Sequence, residues 1–263
     1  MNTVAIVPAR FASTRLPGKA LMEIAGKPMV CWVAERARSA RNVNRVIVAT
    51  DSEQIRETAE AHGIEAVMTS ADHASGTDRI AEVAAKLTNV DIVVNLQGDE
   101  PLISPLTIER AITTLIEEPL SGAGIVTTWE HIETQGELLN SDVVKVIIDD
   151  NGYALYFSRS PIPFPRDAAL RHGGPGMALD VEPGLLEIFK KHTGLYVYRG
   201  SVLLEFANCA QTTLERIEGL EQLRALQNGM KIKAIEASSS SIGVDTADDL
   251  RTVREQIELL TVR

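Results

Sequence analysis

Cysteine is scarce in this chain of 263 residues, which carries only Cys31 and Cys209. Two are too few for a disulfide framework, and they show no metal-ligand spacing. Cys31 lies in an apolar helical stretch and reads as an inert buried thiol. No apolar run approaches ~18 residues, so no membrane-spanning helix and no membrane partner are expected. The N-terminus has no basic segment ahead of a long apolar one, so no signal peptide is expected. Together these absences favour a reducing cytoplasm. Two common phosphate-binding patterns are missing as well. Gly-x-Gly-x-x-Gly does not follow the first strand, and Gly18-Lys19 is followed by Ala20, where the other pattern needs Ser or Thr. Positive charge is in deficit, with 26 Lys and Arg against 36 Asp and Glu. That balance argues against nucleic acid as a partner, which would need a broad basic surface.

Hydrophobic residues make up 44% of the chain, enough to bury a sizeable core. The N-terminal half alternates strand and helix. Thr3–Val7, Arg45–Thr50, Ile64–Thr69 and Asp91–Leu96 read as strands, and Pro28–Ser39, a stretch from Ser52 to about His62, and Thr77–Leu87 as helices. Uninterrupted apolar strands suggest burial on both faces, as in a parallel sheet flanked by helices. Beyond about residue 120, Gly124–Trp129 reads as a strand, and Val143–Ile148 and Tyr153–Phe157 read as a hairpin with Asn151-Gly152 supplying a positive-φ turn. Ser158–Pro183, rich in Pro, Gly and Arg, reads as a long functional loop and candidate lid. Gly194–Tyr198 and Lys231–Glu236 read as strands. Leu214–Gln227 reads as one helix and Thr246–Leu260 as the closing one, capped by Asp245 or Thr246. The fold class is therefore α/β, a doubly wound and mostly parallel sheet. A single domain is expected over 1–263, with an antiparallel insertion between about residues 121 and 200.

Four motifs could carry chemistry. Arg10, Arg15 and Lys19 crowd the loop after the first strand, where ligands sit in open α/β sheets. Ser13 and Gly18 lie in a turn-prone stretch whose backbone N–H groups could converge on an anion. A polyanion, with a nucleoside triphosphate as first candidate, suits this loop; a solvated cationic loop is the plainer account. Gln97-Gly98-Asp99 follows the fourth strand, and Asp99 is placed to hold Mg²⁺. In Gly243-Val244-Asp245-Thr246, Asp245 is either a second metal carboxylate or a helix cap. Ser75-Gly76-Thr77-Asp78-Arg79 could face a base or ribose, or be an ordinary helix start.

The chain resembles the cytidylyltransferases that activate eight-carbon sugar acids, of the CMP-Kdo synthetase family (Kdo is 3-deoxy-D-manno-octulosonate). The resemblance spans nearly the whole chain. It rests on PARFASTRLPGK at 8–19, GKPM at 26–29, VATD at 48–51, MTSADHASGTDRI at 68–80, VVNLQGDEP at 93–101, YALYFSRSPIPF at 153–164, KHTGLYVYR at 191–199, LERIEGLEQLRAL at 214–226 and GVDT at 243–246. Phe11 stands where the family more often has Tyr, Asp78 replaces a frequent Glu, and 167–190 matches poorly. The resemblance implies a nucleotide-diphospho-sugar transferase-like fold and transfer of CMP from CTP to the anomeric hydroxyl of Kdo, for lipopolysaccharide biosynthesis. Related acids, 8-amino-Kdo or sialic acid, are the alternative. It implies CTP binding by Ala9, Arg10, Ser13, Lys19, Ser75 and Arg79, and Mg²⁺ held by Asp99 and Asp245. Lys19, Arg10 and the two aspartates would be catalytic. Arg15, Gln97, Arg159, His192, Tyr196 and Glu215 would line the sugar pocket. Glu218 and Gln222 would join Glu215 on one helical face. A homodimer is implied as well.

Overall fold

The computed structural model describes residues 1–12, 16–73 and 75–261. Ser13 and Arg15, both expected in the site, lie outside the described residues. The chain folds into two compact units, one of residues 1–117, 195–208 and 238–263, the other of 118–194 and 209–237.

The first unit begins with β1 (Thr3–Ala9), a two-strand ribbon of β2 (Glu23–Ile24) and β3 (Lys27–Pro28), and α1 (Met29–Arg38). Then come β4 (Arg45–Thr50), α2 (Glu53–Ala61), β5 (Glu65–Met68), α3 (Gly76–Lys86), β6 (Ile92–Asn95) and α4 (Pro105–Glu117). Ser52 caps α2 by accepting from the Ile55 amide, as its position before the helix predicts. Strands β1 and β6 are apolar because both faces are covered: Val4 to Val7 and Ile92 to Val94 are almost fully buried. Strand β1 pairs in parallel with β4 on one side and β6 on the other, and β4 pairs in parallel with β5. Chain order therefore reverses between β1 and β6. Such a reversal opens a crevice beyond the carboxyl ends of the two strands. Ribbon β2–β3, α4 and the later helix 200–208 carry no sequence-based expectation.

The second unit holds β7 (Ile125–His131), α5 (Gln135–Leu139), β8 (Lys145–Ile148), β9 (Ala154–Ser158), α6 (Arg166–His172) and α7 (Pro175–Val181). The β8–β9 hairpin forms, but its turn differs from the expectation. Gly152 has positive φ and Asn151 does not. Asp149 builds the turn instead, its Oδ1 accepting from the amides of Asn151 and Tyr153. The long loop expected over 158–183 is largely helical. Gly173 is left-handed and ends α6, and Pro175 opens α7, so the Gly and Pro content marks helix ends.

Strand β10 (Lys190–Arg199) belongs to the second unit up to Gly194 and to the first from Leu195, where it runs antiparallel to β6. Next come α8 (Gly200–Asn208), α9 (Thr213–Glu218), α10 (Gln222–Gln227), β11 (Ile232–Glu236) and α11 (Ala247–Thr261). The single helix expected over Leu214–Gln227 is broken by left-handed Gly219. Gln222 therefore does not continue the face of Glu215 and Glu218. Strand β11 pairs in parallel with β7. No helix among the described residues is long and apolar enough to cross a membrane.

Candidate active site

Three segments of the first unit meet at the carboxyl edge of β1 and β6. Ala9 is buried at the end of β1, and Arg10 follows it, exposed. Left-handed Gly18 donates its amide to the Phe11 carbonyl at 3.2 Å, closing the loop and starting the short 3-10 turn Lys19–Leu21. Gly98 lies so close to β1 that a Cβ there would stand 2.9 Å from the Pro8 carbonyl oxygen. Only glycine allows the 97–99 turn to pass at this distance, and Asp99 follows it. The Val244 amide donates to the Asp99 carbonyl at 2.8 Å, and the Val244 side chain is fully buried in a cluster with Met29, Leu250 and Val253. Asp245 is thereby fixed beside Asp99.

The two roles left open for Asp245 are separated here. Thr246 caps α11, accepting from the Asp249 amide, while the Asp249 carboxylate accepts from the amides of Asp245 and Thr246. With Thr246 as the cap, the Asp245 carboxylate turns to Lys19. The Lys19 ammonium stands 2.5 Å from Asp99 Oδ2 and 3.1 Å from Asp245 Oδ1, and donates to the Val244 carbonyl at 3.2 Å. Burial alone would lower the pKa of Lys19, but the two carboxylates outweigh it and the net direction is upward. The ammonium is therefore charged. Two carboxylates from separate segments already converge on one cation. Among the described residues no group of three or more His, Cys, Asp or Glu side chains could hold a metal ion.

Ser75 caps α3, its Oγ accepting from the Asp78 amide at 3.1 Å, which is the ordinary helix start left open above. Arg79 is buried and donates to the Thr69 hydroxyl and to Asp51 Oδ2 at 2.8 Å. It ties together the residues that follow β4 and β5. Asp51 and Thr69 had no assigned role, although both fall in the quoted motifs. The Gln97 carboxamide lies against Gly76 at the start of α3. Tyr196 is buried on β10 opposite Asn95 and stacks on Tyr198. Cys31 is buried, and burial followed by the Glu35 charge pushes its thiol up to about 11, so it is no nucleophile.

The remaining sugar-pocket candidates lie in the second unit. Arg159 Nε donates to the Glu218 carbonyl at 2.7 Å, and its Nη1 to the Ser141 carbonyl at 2.8 Å. The Glu218 carboxylate accepts from the Ser158 hydroxyl at 2.7 Å and the Arg159 amide at 3.0 Å. Glu215 is buried against Arg224, with Nε 2.9 Å from Oε2, and its Oε2 also accepts from the Thr212 amide. Gln222 is buried at the start of α10. Lys145, fully buried, donates to the carbonyls of Asn140 and Val143 and lies near Arg159 and Glu218. The sequence reading missed Lys145 and Arg224. The signal for Lys145 was a single cation inside the apolar run Val143–Ile148.

His192 pairs its Nε2 with the Thr127 hydroxyl at 2.9 Å and packs edge-on against Phe157. Burial pushes its imidazole down to about 3, so the ring is neutral at physiological pH. The unfolded imidazole takes up a proton near 6.5 and the folded one does not, so acid favours unfolding between those values. The ring is only half-buried on β10, so the loss is a modest one that grows as the pH falls below about 6.5. His192→Gln should flatten that part of the pH dependence in urea titrations; an unchanged slope would mean the ring already titrates normally.

The switch point of a mainly parallel sheet is where α/β proteins bind ligands, and a cation with two carboxylates gathered there suits phosphate chemistry. The cytidylyltransferase family model matches residues 4–232. A 3-deoxy-manno-octulosonate cytidylyltransferase of Geobacter sulfurreducens is 51% identical over 258 residues, 98% of this chain and 100% of that protein. One of Trichlorobacter lovleyi is 49% identical over 98% of this chain and 99% of its own. The solved structure of CMP:2-keto-3-deoxy-manno-octonic acid synthetase complexed with CTP superposes with a TM-score of 0.86, at 38% identity, covering 98% of this chain and 99% of that one. The chain belongs to the cytidylyltransferase family and, within it, to the 3-deoxy-manno-octulosonate cytidylyltransferases.

Proposed function

We propose that this enzyme transfers CMP from CTP to the anomeric hydroxyl of Kdo, releasing pyrophosphate, and that it requires magnesium. The observation that carries the reading is the 51% identity to a 3-deoxy-manno-octulosonate cytidylyltransferase across almost the whole chain. The relatives' names do not favour sialic acid or 8-amino-Kdo as the substrate. In the reaction the C2 hydroxyl oxygen of the sugar acid bonds to the α-phosphorus of CTP, the bond to the pyrophosphate oxygen breaks, and the hydroxyl proton is lost to solvent. No covalent enzyme intermediate is needed, so catalysis rests on positioning and charge neutralisation.

Asp99 and Asp245 would hold the metal. Their oxygens already meet at one cation, which supports the fit to a hard divalent ion. When bound, magnesium would neutralise phosphate charge and acidify the attacking hydroxyl. Arg10, exposed just beyond β1, would meet the triphosphate with a guanidinium fork. Arg79, fixed by Thr69 and Asp51, would border the cytosine. Neutral His192 would suit a sugar hydroxyl better than the carboxylate, while Arg159 would suit the carboxylate.

We extend the reading to a cytoplasmic homodimer serving lipopolysaccharide biosynthesis. Both cysteines are free, which agrees with a reducing compartment. The second unit exposes Leu155, Phe164, Leu170 and Val181, each more than half accessible, which agrees with a partner surface. A monomer at micromolar concentration in sedimentation equilibrium would remove the dimer from the proposal.

The activity is tested by pyrophosphate release from CTP and magnesium, with Kdo, 8-amino-Kdo, sialic acid or no acceptor. Release that depends on Kdo and is strongest with it is expected. Release without any acceptor, or none with Kdo, would overturn the assignment.

A further inference from the structure

The three N–H donors of an ammonium are all committed at Lys19, to Asp99, Asp245 and the Val244 carbonyl. In this position Lys19 cannot also donate to a phosphate, although the triphosphate is the ligand its loop suits. Its charge instead sits where the two carboxylates converge, the point at which a divalent cation would bind. We propose that Lys19 is the resident counter-ion of the Asp99–Asp245 pair: an entering divalent cation displaces its ammonium, which then turns to the triphosphate. The proposal rests on the metal reading above and goes beyond it, because it makes one side chain serve two sites in turn.

The charge balance favours such an exchange. With Lys19 between them the two carboxylates keep a net charge of about −1, whereas a divalent cation neutralises both. The cluster is also accessible enough to exchange, with side-chain exposures of 18% for Lys19, 24% for Asp99 and 43% for Asp245. A pair this exposed is held only modestly. The main chain of Lys19 is fixed by its 3-10 turn, so the four-carbon stem alone must swing. Metal and triphosphate would then help each other to bind, since each removes a competitor of the other.

The test uses the full chain without nucleotide and Mn²⁺ as the probe, with free Mn²⁺ read by electron paramagnetic resonance. Lys19→Met and Lys19→Gln should each bind Mn²⁺ about ten-fold more tightly than the wild type, equivalent to ~1.4 kcal/mol. Affinity unchanged or weaker in both variants would overturn the exchange. A second measurement needs no variant. Reductive methylation of Lys19 in the wild type, followed by mass spectrometry, should speed up as Mn²⁺ fills the site; a rate indifferent to Mn²⁺ would overturn it equally. Asp99→Asn separates this failure from that of the metal reading. If Asp99→Asn leaves Mn²⁺ binding intact in every background, the metal assignment falls. If it abolishes binding while the Lys19 variants bind no tighter, only the exchange falls.

Discussion

Asp99→Asn should fold normally and lose turnover by about a hundred- to a thousand-fold, the scale on which one preorganised electrostatic contact is removed from a transition state. The substitution keeps the size and shape of the side chain. The Val244 amide still finds the residue 99 carbonyl, because that hydrogen bond involves main chain alone. What disappears is half of the anionic pair facing Lys19. On the proposed magnesium role of Asp99 and Asp245, the magnesium concentration for half-maximal rate should rise at the same time, because one carboxylate would hold the ion less tightly than two. Steady-state kinetics across a magnesium series, with circular dichroism melts as the folding control, measure both effects. Near-wild-type turnover at low magnesium would remove Asp99 from the reaction.

The largest stability effect is expected at Arg224→Met. Arg224 and Glu215 are both buried, and the guanidinium meets the carboxylate through Nε and Nη2. Removing one partner strands the other charge away from water, at a cost of about 3–5 kcal/mol. For a chain of this size that corresponds to a fall in Tm of roughly 10 °C. The double replacement Glu215→Gln with Arg224→Met leaves no stranded charge and should recover much of the loss. A Tm for Arg224→Met within two or three degrees of the wild type, roughly 1 kcal/mol, would show that water reaches Glu215. The comparison also bears on the sugar pocket, since Glu215 was expected there on motif grounds while its carboxylate is committed to Arg224 and the start of its own helix.

Much of the first unit was legible in the sequence because its signals are strong and local. Strands β1, β4 and β6 are short apolar runs, and Asp99 stands just past one of them. Lys19 and Asp245 could be named, but their meeting could not be read, since it depends on the Val244 main chain and on Thr246 taking the cap. The second unit was less legible for a related reason. Leu214, Ile217, Leu220 and Leu223 keep helical spacing straight through Gly219, and periodicity alone does not register a left-handed residue. The Gly and Pro of 173–175 looked like loop composition, although they end one helix and open the next. Charged groups such as Lys145 and Arg224 are assigned to the surface by composition, and only tertiary contacts reveal that they are buried.

The hydrogen bond between Val244 and Asp99 also bears on synthesis at the ribosome. The two carboxylates are encoded far apart, and all of 118–237 is made between them. A growing chain can display the loop after β1 and the edge of β6, yet it has no anionic pair until residue 245 has left the exit tunnel. A prematurely halted product would therefore lack the second carboxylate that holds Lys19, however well its early strands had folded.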